Sequence, residues 1–310
     1  DENTVADSTS YTSGQLIKTY SGPEIRVSGR YTFSDDFSVK AGYNTTRQYI
    51  HLLSNTTAIA PTDIWKLSDP NIQPQFGDQV SLGFYKDFKA NVIETSVELY
   101  YKRIKNFLDY KSGAVLVLNQ RIEQDVVATT GKAYGIELMI KKTTGKLNGW
   151  LNYTYSRTLL KLDDLEQGIQ INRGAYYPAN YDKPHSVNFV GNYRFSKRYS
   201  ASLTLIYSTG RPITLPVGKF NYLGTSLVYY SDRNAYRIPD YFRSDFSVTL
   251  EGNHKVDQTF HSSWSFGVYN ITGRKNIYSA YYTTENNAIN GYKLTIFGNV
   301  LPFVNYNIRF

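Results

Sequence analysis

The last eight residues, 303–310, constrain the fold of this chain more than any other segment. Valine, tyrosine, isoleucine and phenylalanine occupy every second position, and asparagine or arginine lies between them. Successive side chains of a strand point to opposite faces, so this segment predicts a strand with one apolar face and one polar face. Such a strand fits the edge of a soluble β-domain, or the wall of a transmembrane barrel with lipid on one side and water on the other. The segment alone does not decide between these two settings.

The same alternation recurs along most of the chain. It predicts about eleven strands between about residue 24 and residue 310, comparable in length with the ~10 residues that a tilted barrel strand needs. We also expect residues 292–299 to extend the last strand beyond a kink at Pro302. The predicted strands cover residues 25–33, 37–44, 80–84, 95–102, 134–141, 147–156, 187–195, 199–207, 242–250, 264–268 and 303–310.

The connections between the predicted strands alternate in length. Short polar turns, such as 34–36, 143–146 and 196–198, alternate with long loops rich in Tyr, Asn, Pro and Gly, such as 47–76. A transmembrane barrel has short periplasmic turns and long extracellular loops, whereas a soluble sandwich has no reason to sort its loops by end. The two patterns together predict an all-β, antiparallel transmembrane β-barrel in the cell outer membrane. Its closing strand descends and places Phe310 at the periplasmic rim.

The composition favours strands as the membrane-crossing elements. Apolar runs such as 114–118 are far too short for a membrane helix, and the mean hydropathy is −0.43, as expected when apolar and polar positions alternate. The 29 tyrosines suit the aromatic girdles of a barrel, although they also suit a carbohydrate-binding surface. Cysteine is absent and the net charge of +8 is spread along the chain, so we expect neither thiolate chemistry nor nucleic-acid binding.

An odd number of strands predicts that the chain belongs to a larger barrel. Bacterial single-chain barrels have an even number of antiparallel strands, so eleven strands leave the first and the last without closure. The first residues carry no signal-peptide pattern. We therefore expect a mature or cut piece of a larger protein.

Several segments occur in an order that resembles one family. Residues 241–250 (YFRSDFSVTL) resemble its penultimate descending strand, and residues 264–276 (WSFGVYNITGRKN) resemble the next ascending strand with its Asn-containing turn. Weaker similarities lie at residues 133–137 (AYGIE), 177–179 (YPA), 182–185 (DKPH) and 210–212 (GRP). From about Gly22 onward, the chain is similar to the carboxy-terminal half of TonB-dependent outer-membrane receptors of the Bacteroidetes type.

This resemblance implies a function and a set of partners. The family's barrel has 22 strands around a plug, so about eleven strands are half of it. The plug and the amino-terminal domains are expected to be absent from residues 1–310, which form only a barrel portion. The implied partners are outer-membrane lipid, the plug and the rest of the barrel, the TonB energy complex and a surface lipoprotein. The implied function is transport of a substrate that extracellular loops bind, and Tyr306, Ile308 and Phe310 resemble the family's barrel-assembly signal.

Aromatic side chains in the long loops are the candidate substrate-binding residues. Loops on a rigid scaffold often carry function, and flat rings suit sugars, peptides or iron chelates. The alternative is that these rings pack the loops together or belong to the upper girdle. The candidates are Trp65, Tyr176, Tyr177, Tyr181, Tyr222, Tyr229, Tyr230 and Tyr236.

Charged side chains at the polar strand positions are predicted to face the lumen. They would hold a plug or line a transport path, although half of every barrel strand must face water or a plug in any case. The predicted set is Arg26, Arg30, Lys40, Glu98, Lys102, Glu137, Arg194, Arg243, Asp245 and Arg309.

The sequence predicts no enzyme, cofactor or metal. The four histidines are scattered, and no phosphate-binding loop or nucleophile elbow is present. Asp163, Asp164 and Glu166 could ligate calcium, but we favour an ordinary solvated acidic loop as the explanation for them.

Three further functions stay open at this point. The chain could belong to a passive porin or to an outer-membrane scaffold associated with secretion. It could also be a secreted, soluble β-protein that binds glycans.

Overall fold

Eleven long strands form one antiparallel sheet in the computed structural model. The structure describes residues 9–53, 64–89, 92–111, 114, 119, 122–164, 168–223, 225–252, 261–285, 288–296 and 298–309. The long strands are β1 (Arg26–Ser34), β2 (Phe37–Gln48), β3 (Gln75–Phe88), β4 (Ile93–Tyr110), β5 (Val126–Lys142), β6 (Leu147–Lys161), β7 (His185–Arg194), β8 (Tyr199–Ser208), β9 (Tyr241–Glu251), β10 (His261–Tyr269) and β11 (Leu301–Arg309).

Each long strand pairs with the next one along the chain. The order in the sheet runs from β1 to β11 without a crossover, and the two-residue strand Tyr177–Pro178 pairs beside this path with β6. Within the described residues, β1 and β11 each have a partner on one side only. The sheet is therefore an open wall with two free edges, and the predicted all-β, antiparallel architecture is confirmed.

The connections alternate in length as the sequence predicts. Because consecutive strands are antiparallel, all short connections lie at one end of the sheet and all long ones at the other. The short connections are 35–36, 89–92, 143–146, 195–198 and 252–260, and the long ones are 49–74, 111–125, 162–184, 209–240 and 270–300.

The long connections contain short elements of their own. Two 3-10 turns are Ile122–Gln124 and Asn172–Gly174. The small hairpins pair Ile50–Leu53 with Ile64–Leu67, Asp163–Asp164 with Ile169–Gln170, Pro212–Ile213 with Tyr236–Arg237, Pro216–Tyr222 with Thr225–Tyr230, and Ile277–Glu285 with Ala288–Thr295.

The prediction for residues 292–299 was wrong. Residues 292–295 belong to a separate hairpin, where Ala288–Thr295 pairs with Ile277–Glu285, and β11 begins only at Leu301. Alternation of apolar and polar residues is the same in a loop hairpin as in a barrel strand, so the pattern could not separate the two. Pro302 lies inside β11 opposite Val268, and an edge strand tolerates proline because it pairs on one side only.

The register assigns every strand residue to one of two faces. Directly opposed residues on neighbouring strands point to the same side of a sheet. One row of partners runs Arg30, Lys40, Gly83, Glu98, Glu137, Thr154, Ser186, Ser208 and Tyr241. We call the side that contains this row the polar face. All ten charged residues predicted to face the lumen lie on it.

The opposite side of the sheet, the apolar face, is exposed over its whole width. Leu82 on β3 is 37% exposed, Phe246 on β9 is 41% exposed and Val304 on β11 is 63% exposed. Soluble monomers rarely leave so large an apolar area in water, whereas lipid covers it in a barrel.

Aromatic contacts mark the short-turn end of this face. The ring centroids of Tyr31 and Phe33 are 4.6 Å apart, and those of Trp264 and Tyr306 are 4.5 Å apart. Rings with a polar tip favour the boundary between lipid and water. Among the described residues, no helix is long and apolar enough to cross a membrane.

The buried core lies among the long connections rather than against the strand faces. One cluster contains Ile72, Ile122 and Val126. A second cluster contains Leu160, Leu162, Ile171, Tyr177 and Ala179. The long connections therefore form a packed layer at one end of the sheet, which we call the loop layer.

Arginine substitutions at Leu82 and at its neighbour Ser81 should differ in their effect on stability, because the two residues lie on opposite faces of the sheet. Leu82→Arg puts a charge on the apolar face in the middle of β3, and we expect it to cost about 2–4 kcal/mol of folding free energy in a bilayer. Ser81→Arg puts the same group on the polar face and should have a much smaller effect. Urea unfolding of the full-length protein in lipid vesicles measures both, and equal costs would contradict this assignment of the faces.

Candidate functional site

A cavity of about 900 Å³ lies between the polar face of β7–β9 and the loop layer. Ser186, Ser208 and Tyr241 line it from the strands. Four of the long connections also contribute to the wall, and Tyr110 and Val126 flank the fifth, 111–125. The long connections therefore converge on one space at the end of the sheet where they lie.

A buried ion pair joins the ends of three long connections. The guanidinium of Arg233 donates to the carboxylate of Asp109 over 2.8 Å, and the two side chains are 7% and 10% exposed. The Tyr177 hydroxyl donates to the second oxygen of Asp109. We call these three residues the clasp. They come from the end of β4, from 162–184 and from 209–240, and Asp109 and Arg233 are 124 positions apart in the sequence.

Backbone contacts complete the clasp. Arg233 donates to the Tyr110 carbonyl over 2.9 Å and stacks on the Tyr110 ring, 4.3 Å from its centroid. The Asn172 side chain accepts from the Arg233 amide and donates to the Arg233 carbonyl, over 2.7 and 3.0 Å. Asn234 donates to the Pro178 carbonyl over 2.8 Å. A buried charge is stable only when it is paired and hydrogen-bonded, and these contacts meet that condition.

A second buried carboxylate holds the end of the connection 162–184, which leads into β7. The side chain of Asp182 is fully buried and accepts from Arg237, from Arg157 over 3.3 Å and from the Thr158 amide over 2.7 Å. Arg237 also donates to the Gly210 carbonyl over 2.9 Å. Asp182 thus ties 162–184 to β6 and to 209–240.

Burial and hydrogen bonding shift the pKa values of groups in the loop layer. Burial, with the neighbouring Asp109 carboxylate, raises the pKa of Tyr177 far above its ordinary range. Hydrogen bonds from the Tyr207 hydroxyl and the Gly210 amide lower the pKa of Asp240. Both shifts favour the protonation state that the hydrogen bonds of the layer need.

The aromatic residues predicted to bind substrate fall into different places. Tyr181 lines the cavity. Tyr177 is 1% exposed and belongs to the clasp. It therefore packs the loops together, which is the alternative to substrate binding given for these rings above. Tyr176 is half exposed and stacks against the Lys132 ammonium, 4.0 Å from its ring centroid.

The other candidates lie on outer hairpins and do not reach the cavity. Trp65 is 59% exposed on the hairpin within 49–74. The hairpin Pro216–Tyr230 carries Tyr222, Tyr229 and Tyr230, which are all exposed. Tyr236 is exposed and pairs with Ile213 at the base of the loop 209–240.

Among the charged residues predicted to face the lumen, Arg243 lines the cavity. Asp109 and Arg233 build the site and Arg211 lines it, but the sequence does not predict any of the three as a site residue. Arg211 lies in the family-like segment 210–212, whereas no short-range pattern marks Asp109 and Arg233, because their partners come from distant loops. Asn276 likewise lies in a family-like segment, and its side chain bonds both backbone groups of Phe242, over 3.0 and 2.9 Å.

The remaining candidates give no further site. Within the described residues, no group of three His, Cys, Asp or Glu could hold a metal ion. Asp163 bonds Lys161 and Gln170, while Glu166 lies outside the described residues. Tyr306 and Ile308 of the predicted assembly signal are exposed on the apolar face, and Phe310 also lies outside the described residues.

Comparison with known proteins gives one family and several similar structures. Residues 2–271 match the family model described as TonB dependent receptor-like, beta-barrel. The chain resembles one chain of the FpvAI–pyocin S2 complex with a TM-score of 0.56 at 12% identity, covering 92% of this chain and 33% of that one. It also resembles the ferric-catecholate import receptor Fiu of Escherichia coli K12, with a TM-score of 0.54 at 13% identity, covering 92% and 34%.

A third similar structure is the ferripyoverdine receptor of the Pseudomonas aeruginosa outer membrane, with a TM-score of 0.53 at 12% identity, covering 92% and 32%. At such low identity these likenesses concern the fold. The chain spans about a third of the length of these structures. No curated protein matches the sequence.

Breaking the clasp should loosen three connections together. Arg233→Met leaves the buried Asp109 carboxylate unpaired, which typically costs about 3–5 kcal/mol. We expect amide hydrogen exchange to accelerate in 162–184 and 209–240 and around Tyr110, while the strands stay protected. Arg173→Met is the matched control, because it removes an exposed ion pair of the same loops, with Asp232. Exchange that changes equally in both variants would contradict a role for the clasp.

The loop layer should lose stability at high pH through Tyr177. Because its pKa is raised in the folded state, the hydroxyl stays protonated there but ionises in the opened state above pH ~10. The opening free energy should therefore fall by about 1.4 kcal/mol per pH unit above that value on account of this group.

Tyr177→Phe should reduce this slope, and exposed Tyr222→Phe should not. Hydrogen exchange of the loop layer between pH 9 and 11, after correction for the intrinsic rate, measures the slope. An unchanged slope in Tyr177→Phe would rule out this mechanism.

Proposed function

This chain belongs to the TonB-dependent receptor-like β-barrel family, and we propose that it contributes the wall and the loop layer of a transporter that captures its cargo in the cavity beneath the long connections. The family is one of receptors and transporters, not of enzymes, and its barrels lie in the outer membrane. The strands of this chain accordingly cross the outer membrane, with the apolar face toward lipid.

The cavity beneath the loop layer carries this proposal. It opens on the polar face, which is the water-facing side of the wall, at the end where the long connections meet. In a transmembrane barrel the long connections are extracellular. Cargo that enters from outside would therefore meet the loop layer first and the polar face next.

The loops suit capture because part of their structure is already fixed. The clasp and Asp182 hold 162–184 and 209–240 against the ends of the strands. A site formed before binding loses less conformational entropy when cargo arrives. The exposed rings of Tyr222, Tyr229 and Tyr230 on the long connection 209–240 offer a first contact surface for cargo.

Transport also requires parts that lie outside the described wall. We propose that a plug and the remaining barrel strands complete the protein, and that the TonB energy complex drives release of the plug. The two free edges and the spread of charge on the polar face support this proposal. A surface lipoprotein above the loops remains a further candidate partner.

Two other functions deserve a direct comparison. A passive porin would conduct cargo without energy, and a secretion-associated scaffold would hold a protein partner without taking up cargo. Family membership does not fit the soluble glycan-binding protein considered from the sequence.

Uptake by cells tests the proposal. Mass spectrometry of the spent medium should show compounds that wild-type cells deplete and that cells lacking the gene leave in place. A protonophore should abolish the difference. Depletion that continues with the protonophore would indicate a porin, and an absence of depleted compounds would reject the transport proposal.

A matched pair of variants links uptake to the cavity. Ser186→Trp fills the cavity from β7, and we expect uptake to fall about tenfold, as for a loss of roughly 1.4 kcal/mol of binding free energy. Val187→Trp places the same ring on the apolar face and should leave uptake near wild type at equal surface abundance. Equal uptake by the two variants would exclude the cavity as the cargo site.

A further inference from the structure

The wall of the cavity carries more positive than negative charge. Lys183, Arg211 and Arg243 line it, and among the described lining residues Asp109 supplies the carboxylate. That carboxylate is already taken by the clasp. Arg243 is likewise paired, with Asp245 over 2.8 Å. The uncompensated charge therefore lies on Lys183 and Arg211.

Arg211 is the more constrained of these two cations. Its Nε and Nη2 donate to the Tyr278 carbonyl over 3.2 and 2.7 Å, and it forms no ion pair with any described residue. Its side chain is partly buried. This burial lowers the pKa of its guanidinium, as expected for a cation partly removed from water without a carboxylate beside it. Lys183, by contrast, is exposed and can be hydrated.

A partly buried cation loses part of its hydration, and an anion beside it would compensate that loss. Guanidinium has five N–H donors in a planar fork that matches carboxylate and phosphate oxygens, and one backbone carbonyl engages only part of that fork. An oxyanion in the cavity would pair with the rest.

The rest of the wall suits an apolar body. Phe107, Tyr181, Ile206, Ile238 and Ile277 line the same space. Binding pockets for small molecules commonly combine such a wall with a few polar groups that fix the orientation of the ligand.

We propose that the cavity selects organic anions, in which a carboxylate or phosphate group pairs with Arg211 and an apolar or aromatic body packs against the remaining wall. This inference rests on the proposed function only in taking the cavity as the cargo site. It names Arg211 as the specificity-determining residue.

Two matched probes test the proposal. The anion 2-naphthoate and the neutral 2-naphthylmethanol share a ring system and differ in charge. Their binding to the full-length protein in detergent is measured by equilibrium dialysis against the same detergent without protein. We expect the wild type to prefer naphthoate by about tenfold, the scale of one charge-assisted hydrogen-bonded pair.

Variants of Arg211 test whether this residue causes the preference for naphthoate. Arg211→Gln should weaken naphthoate binding about tenfold and leave the alcohol nearly unchanged, because the apolar wall remains. Arg211→Lys keeps the charge without the fork and should be intermediate. Arg198→Gln makes the same change of charge in the short turn 195–198 at the opposite end, and should change neither affinity.

Equal binding of the two probes by the wild type would overturn the proposal. So would an unchanged preference in Arg211→Gln. If Arg211→Gln loses both probes, Arg211→Lys decides: a restored naphthoate preference supports the proposal, and its absence overturns it.

The uptake experiment has an independent readout. A naphthoate preference without uptake would reject transport and keep the anion site, whereas uptake without the preference would reject the anion site and keep transport.

Discussion

The separation of polar from apolar side chains across every strand is the constraint on which the rest of the structure depends. A membrane offers no water to backbone N–H and C=O groups, so strands can cross it only when their neighbours satisfy those groups. Within the described sheet, β2 to β10 meet this requirement in the simplest order, each paired with the strands before and after it, while β1 and β11 are paired on one side. The same pairing keeps the two faces in register from β1 to β11, so one side of the wall is apolar throughout and the other is polar.

Because of this arrangement, the packed core lies among the long connections and not between the faces of two layers. A wall one sheet thick has lipid on one side and polar side chains on the other, so its strands bury little against each other. The long connections supply the buried residues instead, in clusters around Ile122 and Tyr177. Buried ion pairs hold this layer together, and such pairs are stable only when every partner is in place. The loop layer is therefore built by specific polar contacts, and the cavity beneath it takes its shape from them.

The cavity is the feature of the wall that can bind a ligand. Strand residues of the polar face form one side, and residues from the long connections form the other. Arg211 has a structural and a chemical role. Its bond to the Tyr278 carbonyl links 209–240 to 270–300, while its charge lines the cavity. A ligand that pairs with this side chain can therefore also affect the position of the two connections.

The sequence by itself determined the all-β class, the strand count, the alternation of short and long connections and the face of each charged strand residue. These properties follow from a local period of two and from turn composition, so a single chain displays them without knowledge of its contacts. The same local pattern misassigned residues 292–299, because a loop hairpin alternates as a barrel strand does.

Only the tertiary structure decided the site. Asp109 and Arg233 are 124 positions apart, and nothing near either residue indicates the other. Tyr177 and Tyr176 are adjacent aromatic residues in one loop, yet the first is buried in the clasp and the second is exposed. Loop contacts of this kind depend on where several distant segments meet, which no local period encodes. Sequence therefore fixes the faces of this wall, and folding alone brings together the residues that can bind.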